Sequence, residues 1–198
     1  DTTAIKYLEN DIAYLNNGLI TTEILKMHQE KLKKSKGIIL DCRNYPKEFL
    51  VFKLTPYLLP ESTSFVKFTK TNNQNLGDFV FTEELKVGDH NPDYFKGKVA
   101  ILINENTQSS AEYHVMAYQT APKAQIFGSQ TAGADGNVSQ FILPGGLYTM
   151  ISGIGVYYPD GRETQRVGIA PDQVVKPSII GIRAGRDEVL EEAIKFLK

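Results

Sequence analysis

Short apolar runs alternate with amphipathic stretches along most of this chain. DIAYL, residues 11–15, reads as a strand. TTEILKMHQEKLKK, residues 21–34, places Ile24, Met27, His28 and Leu32 near one face of a helix, with Thr21 or Thr22 as its N-cap. GIIL, residues 37–40, is too continuously apolar for a half-exposed strand and predicts a buried one, whose C-terminal end carries Asp41, Arg43 and Asn44. A helix covers part of KEFLVFKLTPYLLP and ends near Pro56 or Pro60, because proline removes a helical hydrogen bond and crowds the preceding turn. Residues 71–97 are polar and rich in turn formers around one strand-like patch, FVF, and predict a surface excursion.

The alternation resumes with KVAILIN, a second buried strand, followed by a loop holding Ser109, a helix to about residue 119 and the strand AQIFG. Strands alternating with helices predict an α/β fold with largely parallel pairing. From residue 138 to 158 the pattern changes to successive strands that turn at Pro144-Gly145-Gly146, and Asp160-Gly161 makes a further turn. The closing GRDEVLEEAIKFLK lines up Val189, Leu190, Ala193, Ile194 and Leu197 as one stripe, the pattern of a docked helix. No repeat or low-complexity linker interrupts the 198 residues, so one domain over residues 1–198 is expected.

Composition narrows the functional classes. Lysine plus arginine number 22 against 23 aspartates and glutamates, with no basic stripe interleaved with aromatics, which argues against nucleic acid as a partner and leaves peptides open. Cys42 is the single cysteine, so no intrachain disulfide can form. No apolar run approaches the roughly 20 residues of a membrane helix. The opening lacks the charged and apolar regions of a signal peptide, and the chain is expected to begin inside a longer protein. His28 and His90 stand apart from each other and from the cysteine, which gives no metal signature. Gly145 and Gly146 lack the phosphate-binding pattern and read as turn residues. Asp41 and Arg43 are explained as well by an ion pair as by a functional site.

Ser109 carries two readings. With Glu112 it forms S-x-x-E, the capping-box spacing, a common device at helix starts. A serine between a buried strand and a helix N-terminus also sits where free amides and the positive dipole end can hold an oxyanion, with the Ser110 amide as the natural first donor. A serine hydroxyl still needs a base. His114, five residues on, is turned about 140° around a helix from Ser109 and reads as a partly buried structural histidine.

GIILDCRNYP, NENTQSSAEYHVMAYQ, IFGSQTAGADGN, LPGGLYTM, GVYYPDGRETQRVGIAPDQVV and DEVLEEAI follow one another in an order and spacing that resemble the C-terminal processing (tail-specific) peptidases and the related tricorn-core proteases, over nearly the whole chain. The resemblance implies a crotonase/ClpP-like spiral of mixed sheet and helix. It also implies a serine-type endopeptidase acting on extended polypeptides without metal or organic cofactor, in an exported bacterial protein of the periplasm or cell surface. On that resemblance Ser109 is the nucleophile and Ser110 takes the next position. Asp172 matches the block after Pro171 in a structural role.

The chain departs from the pattern where a base should stand. Tail-specific members have a lysine 25 residues after the serine, and this chain has Ala134 there, which cannot accept a proton. The tricorn-like branch pairs a histidine with a glutamate; the glutamate position holds Gln165, and DIAYLNN, where the histidine belongs, contains none. Glycines that help form the second oxyanion donor are replaced by Lys47 and Glu48. Three arrangements fit these departures. The base lies on an N-terminal part outside these residues, or Asp135, the carboxylate of the turn that lost its lysine, substitutes for it, or the protein is a peptide-binding relative that does not hydrolyse. Asp135 also has a plain reading as a turn former beside Gly133 and Gly136.

Overall fold

The computed structural model describes residues 3–75 and 77–198; Asp1, Thr2 and Leu76, the last within the predicted surface excursion, lie outside the described residues. The elements in order are β1 (Ile5–Leu8), β2 (Ile12–Asn16), α1 (Thr22–Lys33), β3 (Gly37–Asp41), α2 (Val51–Leu58), β4 (Thr63–Thr71), β5 (Phe79–Phe81), β6 (Leu85–Val87), β7 (Lys98–Ile103), α3 (Ser110–Tyr118), β8 (Ala124–Gly128), β9 (Val138–Leu143), β10 (Leu147–Ser152), β11 (Val156–Tyr157), β12 (Gln173–Val174), α4 (Ile179–Arg183) and α5 (Glu188–Leu197). A short 3-10 turn, Glu9–Asp11, joins the first two strands.

The main sheet runs β1-β2-β3-β7-β8-β12, with β1 antiparallel to β2 and every other pair parallel. One face packs Leu15, Leu40 and Ile101 against apolar residues of α1, α2 and α3. The other packs Tyr14, Ile39, Leu102 and Phe127 against Val189, Ala193 and Leu197 of α5. Cover on both faces explains why GIIL and VAILI are apolar without alternation. The chain is thus a mixed α/β fold, as the alternating pattern predicted.

Several expectations need correction. In α1 the buried residues are Leu25 and Leu32, while Met27 is 70 % exposed, so the apolar stripe is rotated from the predicted face. Thr21 is the N-cap and accepts from the Ile24 amide at 3.3 Å. Helix α2 meets the expectation: it runs through Pro56 and ends at Leu58, two residues before Pro60. The carbonyl that Pro56 cannot serve belongs to Phe52, a residue 45 % exposed. The surface excursion also contains β6, and β4, which no alternation in the sequence marks, is nine residues long and anchors a second sheet. There β11 flanks β4 on one side, with β5 and β6 on the other. The hairpin β9–β10 forms a separate two-stranded sheet that turns through Gly145 and Gly146, both at positive φ.

Candidate active site

Ser109 stands at the junction of β7 and α3, the first helix after the central strand. Thr107 fixes the intervening loop: its hydroxyl donates to the Cys42 carbonyl beyond β3 at 3.0 Å and accepts from the Asn104 amide at 3.0 Å. Ser109 itself has φ 51° and ψ −122°, a backbone conformation that residues with a side chain rarely adopt and that clusters at functional sites. Ser109 is the N-cap residue of α3, and the Glu112 carboxylate reaches back to its amide at 3.1 Å, so helix start and candidate nucleophile are one residue.

Glu112 holds this strained corner to the turn at residues 131–135. Its side chain is wholly buried and its carboxylate accepts from the Ser109 amide (3.1 Å), the Thr131 hydroxyl, and the Gly133 and Ala134 amides (2.9 Å each). Four donors on one carboxylate make a buried charge tolerable. Ala134 therefore contributes an amide to the frame, and its methyl supplies no base.

Asp135, next in the turn, is 4 % exposed. One oxygen accepts from the Gly136 amide at 2.7 Å, while the other, Oδ2, is buried without a hydrogen-bond partner among the described residues. Burial pushes its carboxyl up to about 7; the Gly136 amide opposes this and the Glu112 charge adds to it. Gln165 fixes the backbone here, its Nε2 donating to the carbonyls of Asp135 and Ile154 at 2.8 Å each.

Ser109, Ser110 and Asp135 line one cavity of about 720 Å³. Its apolar lining includes Phe49, Phe68, Tyr113 and Ile154; Thr69, Lys70 and Thr82 contribute polar positions. Tyr113 lies parallel to Phe68, with ring centroids 6.2 Å apart, and edge-on to Phe65 at 5.1 Å. Burial and the nearby Asp135 charge raise its phenol to about 12. Phe65 and Phe68 lie on β4, which no local alternation in the sequence marks. The buried pair Phe65-Val66 within TSFVKFTKT was the available signal.

His114 is excluded as a base by geometry. It is fully buried rather than partly so, its Nδ1–H donates to the Ser110 carbonyl at 2.6 Å and its Nε2 accepts from the Leu50 amide at 3.0 Å. Burial lowers its pKa to about 4, and both nitrogens are committed. The Lys47 amide, at a position where a second oxyanion donor was expected, is spent on the Asn17 carbonyl at 3.0 Å. Glu48 accepts from the Thr22 amide at 2.8 Å and from the Thr22 hydroxyl, at the start of α1.

Of the two readings of Asp41 and Arg43, the structure shows the ion pair, extended by Tyr14 and by a two-point contact from Arg43 to Asp187 at the start of α5 (2.8 and 2.9 Å). Asp172 accepts from the Ile126 amide at 2.7 Å and ties the chain before β12 to β8. Asp160 and Gly161 make the expected turn. His28 meets Tyr7, and His90 meets Glu61 on the surface. Among the described residues no helix is long and apolar enough to cross a membrane.

Comparison with known proteins bears on this geometry. A family model described as peptidase family S41 matches residues 11–175. A carboxy-terminal-processing protease of Bartonella bacilliformis is 29 % identical over 203 aligned residues, covering 96 % of this chain and 45 % of the relative. The carboxyl-terminal-processing protease of a Synechocystis strain is 27 % identical over 156 residues, covering 78 % of this chain and 34 % of the relative. This chain therefore spans between a third and a half of the length of those relatives. A crystal structure from Parabacteroides merdae shares the fold with a TM-score of 0.84 at 22 % identity, over 98 % of this chain and 63 % of that one.

Proposed function

The chain belongs to peptidase family S41, and from that premise we propose that it is a serine-type endopeptidase cleaving extended polypeptides through an acyl-enzyme on Ser109. The observation that carries the reading is that one cavity is lined both by Ser109, a serine at a helix N-terminus, and by Asp135, whose buried Oδ2 lacks a hydrogen-bond partner among the described residues.

Asp135, poised near neutrality, takes the hydroxyl proton as Ser109 Oγ bonds to the scissile carbonyl carbon. The oxyanion that forms lies at the opening of α3, where first-turn amides have no helical acceptor; the Ser110 amide donates to it and the helix dipole favours its charge. Collapse breaks the C–N bond, and the protonated Asp135 gives its proton to the departing amine. Water then attacks the acyl-enzyme with the same carboxylate as base, and Ser109 is restored. Gln165 is a positioning residue, holding the Asp135 backbone.

In this reading the topology is the crotonase-like spiral of tail-specific peptidases, and residues 1–198 are the catalytic part of a longer, exported bacterial protein. Its substrates are polypeptides cut near their C-termini. A fluorophosphonate probe tests the chemistry. Labelling is expected in the unmodified chain, lost in Ser109→Ala and slowed by about 100-fold or more in Asp135→Asn, the scale of a lost general base. Unimpaired labelling of Asp135→Asn would assign the base elsewhere, and no labelling of the unmodified chain would make it a peptide-binding relative.

A further inference from the structure

The β9–β10 hairpin has no part in the chemistry above, and its composition is unusual for something so exposed. Residues 138–152, VSQFILPGGLYTMIS, contain no charged side chain. Apart from Thr149, every strand residue is exposed, up to Tyr148 at 79 %. The register pairs Ile142 with Tyr148 and Phe141 with Thr149, so alternation puts Val138, Ile142, Tyr148 and Met150 on one face. Phe141, Leu143, Leu147 and Ile151 share the other. An element apolar on both faces is not a flap with one side for its own core.

Both outer edges of the hairpin are also open, since no other strand among the described residues pairs with β9 or β10. Free edges are usually blunted by charge, proline or a bulge. Here the register is continuous over six pairs, and Pro144 sits in the turn, outside both strands. A two-stranded hairpin alone in water is marginal at best. This one is shaped to receive a strand.

We propose that the strand it receives is the substrate: an extended, uncharged polypeptide segment of about six residues that adds to the hairpin edge while its scissile bond lies at Ser109. The proposal rests on the peptidase reading above. Continuity with the cavity selects this occupant. Asp135, Gly136 and Asn137, which lead into β9, and Gly153 and Ile154, which lead out of β10, all line the cavity that contains Ser109. Gln165 clamps these two feet together through the carbonyls of Asp135 and Ile154. An extended chain leaving the cavity therefore passes directly onto an unpaired edge roughly 20 Å long. Backbone hydrogen bonds supply the affinity, and the two apolar faces favour uncharged side chains on both sides of the added strand.

The test uses the Ser109→Ala chain, which holds peptide without turnover, and fluorescence anisotropy. The probe is a fluorescein-labelled peptide of about ten residues, alternating valine and serine. Binding is expected to weaken by about tenfold or more, the scale of one or two lost ladder hydrogen bonds, when alternate peptide nitrogens are methylated, and similarly in an Ile142→Asp/Tyr148→Asp double variant. The methylated peptide needs no change in the protein, so it stays decisive if the double variant fails to fold. No binding of the unmethylated peptide, or binding indifferent to methylation, overturns the proposal. So does light scattering that shows a dimer dispersed by the double variant while peptide affinity is unchanged, since the hairpin then serves a second copy. Fluorophosphonate labelling of the unmodified chain reports separately on the nucleophile, so the two ideas fail independently.

Discussion

Replacing Glu112 with glutamine tests whether one buried carboxylate aims the site. Glutamine keeps the shape and one acceptor oxygen, which can serve the Thr131 hydroxyl and the Gly133 amide on the Oε1 side. Its amide group then faces the Ser109 and Ala134 amides, donor against donor, where Oε2 accepted both. Hydrogen bonds to a charged group are worth about 1.5–3 kcal/mol each, so losing two from a fully buried position should cost about 3 kcal/mol or more. With a urea slope of about 2–3 kcal/mol/M, the unfolding midpoint should fall by about 1 M or slightly more. The functional effect should be larger than the stability effect implies. The Ser109 amide bond helps hold φ at 51°, and a relaxed Ser109 should react more slowly with a fluorophosphonate even in the fully folded variant. Loss of the Glu112 charge should also move the pH midpoint of labelling downward, because that charge adds to the burial that raises Asp135. A midpoint shift under about 0.3 M with an unchanged labelling rate would refute the idea that this carboxylate frames the nucleophile.

Three further outcomes follow from the geometry. The folded Asp135 carboxyl lies near 7 against an ordinary 3.8, so its protonated form is favoured on folding; that contribution is complete below about pH 4 and is lost as pH rises through about 7. Asp135→Asn should therefore gain stability relative to the unmodified chain between pH 5 and pH 8 in urea titrations, and a pH-independent difference would contradict the burial argument. Gly128→Ala should fail to fold or lose about 4 kcal/mol or more, because an added Cβ would lie 1.9 Å from the Ile103 carbonyl oxygen at φ 129°; a soluble variant with an unchanged thermal midpoint would be incompatible with that close approach. Arg43→Lys should cost about 2–3 kcal/mol in chemical denaturation, since a lysine cannot reproduce the paired contacts to both Asp41 and Asp187, and a loss under about 0.5 kcal/mol would mean that Asp187 is held by other means.

The parts of this architecture that could be read from the chain are those governed by local periodicity. Continuous apolar runs marked β3 and β7 because strands covered on both faces need no polar side, and α5 was legible from its single stripe. β4 was not, because its buried residues, Phe65 and Val66, are adjacent rather than alternating, and its partners come from distant segments. The same non-local pairing hid the aromatic lining of the cavity. Ser109 was visible from its place between strand and helix, and the loss of the usual base was visible at Ala134. The burial that leaves an Asp135 oxygen without a partner was not, because it arises where the turn after β8, Gln165 and the segment entering β11 converge.

Arg43 has one carboxylate neighbour two residues away and another 144 residues later, and Asp172 reaches back 46 residues to Ile126. On the ribosome, Ser109 and the turn at residues 131–135 that braces it thus emerge before either of these long-range clasps can close. A half-made polypeptide therefore carries a framed Ser109 corner on a sheet whose outer face is still bare, and the closing helix can be tied down only once translation has run past residue 187.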